Sequence, residues 1–463
     1  MSYRNYTRVV MKLRQMISDI IVELTRLQGA VLPPWRDDDD FPFPRMIAVD
    51  GERTLYVSRK IDNLIDLVSL QIHASEHELG KRVGTDELRS IVRRAFGPAL
   101  AAIDLDHDIA ENADITLSSV RTFIEQSIDR GKLRQEHCFG CTLFNRLSFS
   151  AFVIGSVRFE ARREWLKRKM VEGDISLVTY RRIEKIWSGS NMRARKPSFE
   201  SMGEQDIIDA VGDCPYVCSV TTDGYALGLG REKALIAARL ALTSIALLWQ
   251  TPSRRLDGFN LAYDREVQFQ VAMTFHERNI LTSRTKIHLT VDGDFNGEKW
   301  DALISESKNY FSIVTEITDY SLSFAEVSRT NLMRTLFHAL LWFHEGCRDR
   351  SPLIAIVKFA ATMDALACGG KENGILSLFD ARLGLKGDAR VFSDGTTLKS
   401  AVSVIYGYGR SRTIHGNNER IGTDWSNNSA RAEQLARLCL IHCIEWAAEN
   451  RKIDDPKLMS KMA

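Results

Sequence analysis

The apolar residues of this chain keep helical spacing at both ends and lose it in the middle, and that change of period constrains the fold more than any other feature. Within residues 5–28, Val9, Val10, Leu13, Met16, Ile17, Ile20, Ile21, Leu24 and Leu27 recur at three- and four-residue intervals, which places them on one face of an amphipathic helix. Residues 61–192 read as mostly helical. Segments 216–220, 267–275, 286–291 and 311–317 are rich in β-branched and aromatic residues and read as strands. The run 232–250 between them reads as a buried helix. From Leu332 onward the helical period returns. A chain of 463 residues exceeds one hydrophobic core. The expected fold class is therefore mainly α with a mixed α/β middle region and a C-terminal helical bundle. Three segments are expected: 1–200, a mostly helical N-terminal regulatory or sensing region; 201–325, the mixed α/β region; and 326–455, the bundle.

Punctuation and composition refine this. Residues 31–35 end the first helix at Pro33-Pro34, and the acidic run Asp37 to Asp40 before Phe41-Pro42-Phe43-Pro44 reads as a solvated loop. Residues 193–204, with Lys196-Pro197-Ser198 and Ser201-Met202-Gly203, read as a linker. No apolar run reaches the roughly 20 residues that span a bilayer. The stretch 234–249 comes nearest but contains Arg239 and Thr243. The N-terminus lacks the marks of a secretory signal, so a cytoplasmic protein without a membrane partner is expected. Cys138-Phe139-Gly140-Cys141 and Cys214-Pro215-Tyr216-Val217-Cys218 supply four thiolates that could suit zinc. A second pair at two-residue spacing is missing, however, and Cys218 falls in a strand, so no metal is expected. Residues 158–196 hold 12 Lys/Arg against five Asp/Glu, interleaved with Phe159, Trp165, Tyr180 and Trp187. That mixture fits either a nucleic-acid surface or a solvated basic helix face. Gly224, Gly228 and Gly230 lack dinucleotide-loop spacing. Asp292-Gly293-Asp294-Phe295-Asn296-Gly297 lacks the twelfth-position Glu of a calcium loop, where Leu303 stands.

The C-terminal part carries the chemistry. Leu332, Met333, Leu336, Phe337, Leu340 and Leu341 form one helical stripe. Ser351-Pro352 caps a second helix that Gly369-Gly370 stops. Further helices are read at 375–383, from Thr397 into Arg410, and from Ser429 to Glu449. The segment Tyr408-Gly409-Arg410-Ser411-Arg412-Thr413-Ile414-His415-Gly416 closes the fourth of these. An aromatic at Tyr406 or Tyr408, then Arg410-Ser411, then His415-Gly416, preceded by Met363-Asp364-Ala365-Leu366 on an earlier helix, resembles the HEPN ribonucleases and their ApeA-like branch of bacterial antiphage defence. The resemblance covers about a quarter of the chain. Asp364 stands where the family often has Glu, and Gly407 and Gly409 flank Tyr408 and loosen the helix just before Arg410.

That resemblance implies a HEPN-type bundle and a metal-independent endoribonuclease with no cofactor. Its RNA partner would be cleaved to a 2′,3′-cyclic phosphate and a 5′-hydroxyl, with tRNA among the candidate targets. It also implies a homodimer or higher homo-oligomer, and an effector of antiviral defence or toxin-like growth arrest released by a phage-derived trigger. The residue types suit this. The nucleophile is the ribose 2′-hydroxyl, His titrates near neutrality, and the Arg fork matches charge on a phosphorane-like transition state. Arg410, His415, Ser411 and Asp364 are the expected catalytic set, and Arg412, Asn417 and Tyr408 the substrate-binding set. Ser411 has two open readings, phosphate orientation or a helix back-bond. So has Asp364, which either serves the site by holding Arg410 or forms a structural ion pair. His338, His344 and His442 are expected to be packed or solvated. Five ideal helical steps separate Arg410 from His415 by about 140°, so the helix must end at His415, with Gly416 as its left-handed stop, or the Arg side chain must bend back. The alternative to an enzyme is a catalytically silent module used for RNA binding, dimerisation or regulation.

Overall fold

The computed structural model describes residues 3–28, 45–75, 77–131, 134–143, 149–264, 269–276, 279–286, 297–323 and 327–461. The loop expected at 31–44, nearly all of the strand expected at 286–291 and most of the 292–297 turn lie outside them. The chain divides into two units, residues 1–135 with 222–233, and residues 136–221 with 234–463. This division does not coincide with boundaries at 200/201 and 325/326. Among the described residues no single helix is long and apolar enough to cross a membrane.

The first unit runs α1 (Tyr3–Gln28), β1 (Arg45–Ala48), β2 (Thr54–Val57), α2 (Arg59–Ser75), α3 (His77–Gly80), α4 (Thr85–Ala101) and α5 (Ile109–Gly131). Of the α1 stripe, Leu13, Ile17, Ile20, Ile21 and Leu24 are buried as their spacing predicts, with Ile61, Ile65 and Val68 of α2 and Val120 of α5. Each such side chain contributes about 1.5–3 kcal/mol through burial. The β1–β2 hairpin is antiparallel, with Met46 opposite Tyr56. It lies against α4 because Gly97 has no side chain: a Cβ there would fall 1.9 Å from the Ala48 carbonyl oxygen.

The second unit opens with a five-stranded sheet that interrupts the helical reading of 61–192. Its strands are β3 (Gln135–Thr142), β4 (Phe152–Ile154), β5 (Val157–Ala161), β6 (Tyr216–Thr222) and β7 (Asn260–Leu261), in the order β4-β5-β6-β3-β7. Between β5 and β6 lie α6 (Arg162–Glu172), α7 (Leu177–Trp187) and α8 (Phe199–Val211). The linker expected at 193–204 is cut short by α8. Ser198 and Ser201 form a reciprocal capping box, so two serines that looked like linker composition start a helix. Half of the twelve Lys and Arg residues in 158–196 are tied down. Arg168 donates to Glu136 and Glu160, each at 2.7 Å, and Arg182 and Arg195 both bind Glu204. Burial opposes charge on Glu136, but hydrogen bonds from Arg168 and Lys169 outweigh it and hold its pKa at about 2. Arg162 lies over Trp187. These contacts make a fixed ion network of part of the stretch, while Arg163, Lys167, Arg181, Lys185, Arg193 and Lys196 remain exposed.

Next come α9 (Leu227–Ala246), which is the buried helix expected at 232–250, then α10 (Pro252–Gly258) and the antiparallel hairpin β8 (Phe269–His276) and β9 (Asn279–Lys286). They are followed by α11 (Gly297–Glu306) and α12 (Lys308–Leu322). The strand expected at 311–317 is therefore part of a helix. Its β-branched content signalled strand, but Tyr310, Phe311, Ile313, Val314, Ile317, Thr318 and Ser321 are buried at helical spacing, and packing overrides so weak a propensity. The remaining elements are α13 (Thr330–Arg348), α14 (Pro352–Leu366), α15 (Lys371–Leu383), α16 (Leu398–Val402), a π-helical segment Ser403–Arg412, and α17 (Ser426–Glu449). The molecule is thus mostly helical with small antiparallel sheets in its middle. α14 is the central C-terminal helix, packed against α13, α15, α17 and the π-helical segment. Ser351 caps its N-terminus, and Gly369 and Gly370, at φ 86° and 89°, follow its end.

Candidate functional site

Arg410 lies on a ten-residue π-helical run that continues directly from α16. Such i→i+5 turns are rare, usually single, and frequent at functional sites. Two glycines accommodate this one. A Cβ on Gly409 would lie 2.4 Å from Ile356 Cγ2 of α14, and one on Gly407 would lie 3.0 Å from Glu372 Oε1 of α15. They allow the segment to press against both neighbouring helices.

That approach positions the guanidinium. Arg410 Nη2 lies 3.3 Å from Asp364 Oδ2 of α14. Nη1 donates to the Tyr406 hydroxyl at 2.8 Å, with the guanidinium carbon 4.8 Å from the Tyr406 ring centroid. Burial, then the Asp364 charge, raises the Tyr406 pKa, so the phenol stays protonated at neutral pH. Arg410 Nε and Asp364 Oδ1 are buried without a hydrogen-bond partner among the described residues. Arg410 and Asp364 side chains keep 27% and 19% of their surface exposed, so the pair is oriented and still reachable.

Beyond Arg412 the backbone returns to α geometry and stops. His415 N–H donates to Ser411 O, Gly416 N–H to Thr413 O and Asn417 N–H to Arg412 O. Gly416 takes φ 72°, which is the left-handed stop. His415 is exposed at this terminus, and no hydrogen bond restrains its imidazole among the described residues. Arg410 and His415 are not joined by an i→i+5 backbone bond, because the π run ends at Arg412 and His415 N–H bonds Ser411 O.

A cavity of about 580 Å³ adjoins Tyr406, lined also by Tyr408, Ser411 and Arg412 from the π segment and by Lys371 and Glu372 from the start of α15. The Arg412 and Arg420 guanidinium carbons lie 4.1 and 4.7 Å from the Tyr408 ring centroid. Asn418, nearly buried, donates to Tyr408 O and Thr413 Oγ1 and accepts from Arg420 N–H, so it builds the turn. Asn417 is exposed and contributes its backbone to the helix stop. The seven expected site residues thus fall into three places: Arg410 with Asp364 in the clamp; Tyr408, Ser411 and Arg412 on the cavity; and His415 with Asn417 at the helix end. Arg410 and His415 do not line the cavity. The Ser411 hydroxyl makes no back-bond among the described residues, which leaves it free for a ligand.

Sequence reading missed Glu372, Arg420 and the anchoring role of Tyr406. The i,i+4 spacing of Tyr406 and Arg410 was a usable signal; nothing local marked Glu372. The other candidates have structural roles. His344 is buried, and its Nδ1 meets Thr243 Oγ1 at 2.8 Å. His442 pairs with Glu445, and His338 packs against Phe337. Cys141, Cys214 and Cys218 are buried, and burial pushes the Cys218 thiol well up. Among the described residues no three His, Cys, Asp or Glu groups are placed to share a metal ion.

Family models, curated proteins and solved structures were compared with the chain. None matches. Any functional reading therefore stands on the geometry above and on the Arg410–His415 motif.

Proposed function

We propose that this chain is an endoribonuclease of the HEPN type, cleaving RNA through attack of the 2′-hydroxyl on the adjacent phosphate without a metal ion. The observation that carries the proposal is the clamped guanidinium of Arg410. It is fixed by Asp364 and Tyr406 on a π-helical segment, and an exposed histidine stands five residues later, at the end of the α-helical turn that follows. A preoriented guanidinium stabilises charge building on phosphate oxygens at no reorganisation cost. An unrestrained imidazole can take the 2′-proton or protonate the 5′-oxygen. In this reading two copies of the chain pair across one cleft, so that one His415 serves as base and the other as acid. Asp364 is a positioning residue. Lys371, Arg412 and Arg420 attract the polyanion. The chain acts as an antiviral or growth-arrest effector, with residues 1–325 restraining the nuclease until a phage component binds.

One observation favours the rival, a silent RNA-binding or dimerisation module: Arg410 and His415 lie outside the cavity. His415→Ala and Arg410→Ala distinguish the two. The ribonuclease reading expects both variants to lose cleavage of total RNA and toxicity in cells while still retaining RNA in a gel-shift assay. Cleavage at the wild-type rate by His415→Ala would refute it.

A further inference from the structure

The cavity beside Tyr406 holds groups that phosphate chemistry does not require. Glu372 has a carboxylate without an ion pair among the described residues, set in the first turn of α15 against the Cα of Gly407. Repelling phosphate is a poor use of such a group, so its acceptor oxygens call for a donor-rich ligand. The same cavity is lined by Tyr408 and Arg412, whose guanidinium carbon lies 4.1 Å from the Tyr408 ring centroid, with that of Arg420 at 4.7 Å. Aromatic rings and guanidinium planes are the surfaces on which unstacked RNA bases lie. Lys371 and Arg412 bring positive charge to the rim, and Ser411 a hydroxyl. At about 580 Å³ the cavity falls within the range of small-ligand sites.

We infer that this cavity is a nucleobase subsite that selects guanine, with the Glu372 carboxylate accepting from the N1–H and N2–H of the Watson–Crick edge while the base stacks on the Arg412–Tyr408 pair. Guanine alone among the four bases offers two adjacent donors on that edge. Adenine and cytosine set a ring-nitrogen acceptor beside their amino group, and uracil flanks its N3–H with two carbonyls; each would turn an acceptor towards the carboxylate. Tyr406 links the subsite to the chemistry, because it lines the cavity while its hydroxyl holds Arg410. A base seated there lies one side chain from the guanidinium. The missing side chain at Gly407 acquires a reason as well, since any Cβ would crowd the carboxylate at 3.0 Å. The inference deepens the ribonuclease reading by naming the nucleotide it prefers, and it rests on that reading only for its link to cleavage.

Binding is tested apart from catalysis by titrating the full-length protein with the four nucleoside 3′-monophosphates in a calorimeter. The expected result is 3′-GMP binding at least tenfold tighter than 3′-AMP, 3′-CMP or 3′-UMP. Glu372→Gln, which exchanges one acceptor for a donor, should erase that preference, and Gly407→Ala should weaken 3′-GMP binding several-fold with the fold unchanged by circular dichroism. Equal affinity for all four nucleotides, no binding of any, or a preference untouched by Glu372→Gln overturns the inference. Mapping cleavage sites in total RNA separates the two readings. Cleavage without base preference and insensitive to Glu372→Gln sinks the subsite and leaves the nuclease. A 3′-GMP preference without RNA cleavage sinks the nuclease and leaves the subsite.

Discussion

Arg410 is held by two different kinds of partner, and each makes its own prediction. Asp364 Oδ2 offers charge at 3.3 Å, and the Tyr406 hydroxyl offers a neutral acceptor at 2.8 Å. Tyr406→Phe removes one charge-assisted hydrogen bond and keeps the ring. Such a bond is worth about 1.5–3 kcal/mol, so kcat for RNA cleavage should fall roughly ten- to hundredfold with KM little changed. Arg410→Lys keeps the charge and loses the planar fork. Removal of one oriented donor set typically costs about 10²–10³ in kcat, and a loss of that size is expected in single-turnover assays. An Arg410→Lys enzyme with activity close to wild type would show that the clamp does not position a catalytic group. The pairing of Asp364 with Arg410 was legible in the sequence as an ion pair, from the order of the helices that carry them. Glu372 and Arg420 were not. Their approach to the motif depends on how α15 and the turn after Gly416 fold back, which no window of residues encodes.

The π-helical segment is the element on which the site depends. In the sequence Gly407 and Gly409 read as a loosening of the helix before Arg410. In the structure they are points of close approach, to Glu372 and to Ile356. The two readings differ because glycine signals low helix propensity and close packing with the same residue. Gly409→Ala should destabilise the protein by about 1–3 kcal/mol through overpacking, measured by urea unfolding. Because the clash is with one methyl, combining it with Ile356→Ala should give less destabilisation than the sum of the single variants. Strict additivity would mean the contact does not set the helix approach. Helix starts and stops, by contrast, were largely legible. Ser351-Pro352, Gly369-Gly370, Thr397 and Gly416 all sit where capping chemistry places them. The failure at 311–317 was one of propensity: β-branched residues took helical spacing because the buried face demanded it.

At the scale of the whole molecule, the second unit carries an acid-sensitive core group. His344 is held neutral chiefly by burial, and secondarily by the nearby Arg348 and Arg239 cations, with its pKa lowered to about 3. Below its ordinary value of 6.5 the unfolded chain takes up a proton that the folded chain refuses. Stability present at neutral pH is therefore lost as pH falls from 6.5 towards 3, by on the order of 4 kcal/mol at the acid end. His344→Asn can keep a hydrogen bond to Thr243 without a titrating ring. Its urea midpoint should fall less steeply than the wild type's across that window, and parallel curves would contradict the assignment. The overall class, mainly helical with β structure in the middle, was legible from periodicity. The sheet order β4-β5-β6-β3-β7 was not, since β3 and β7 come from segments more than a hundred residues apart and such pairing leaves no local signal.

The central claim, that Arg410 and His415 cut RNA through its own 2′-hydroxyl, is tested most directly by the ends it leaves. Purified full-length protein is incubated with total RNA in excess EDTA, and the fragment termini are analysed. The expected ends are 2′,3′-cyclic phosphates and 5′-hydroxyls in EDTA, absent with His415→Ala. Intact RNA in EDTA, 5′-phosphate ends, or undiminished cleavage by His415→Ala would contradict it.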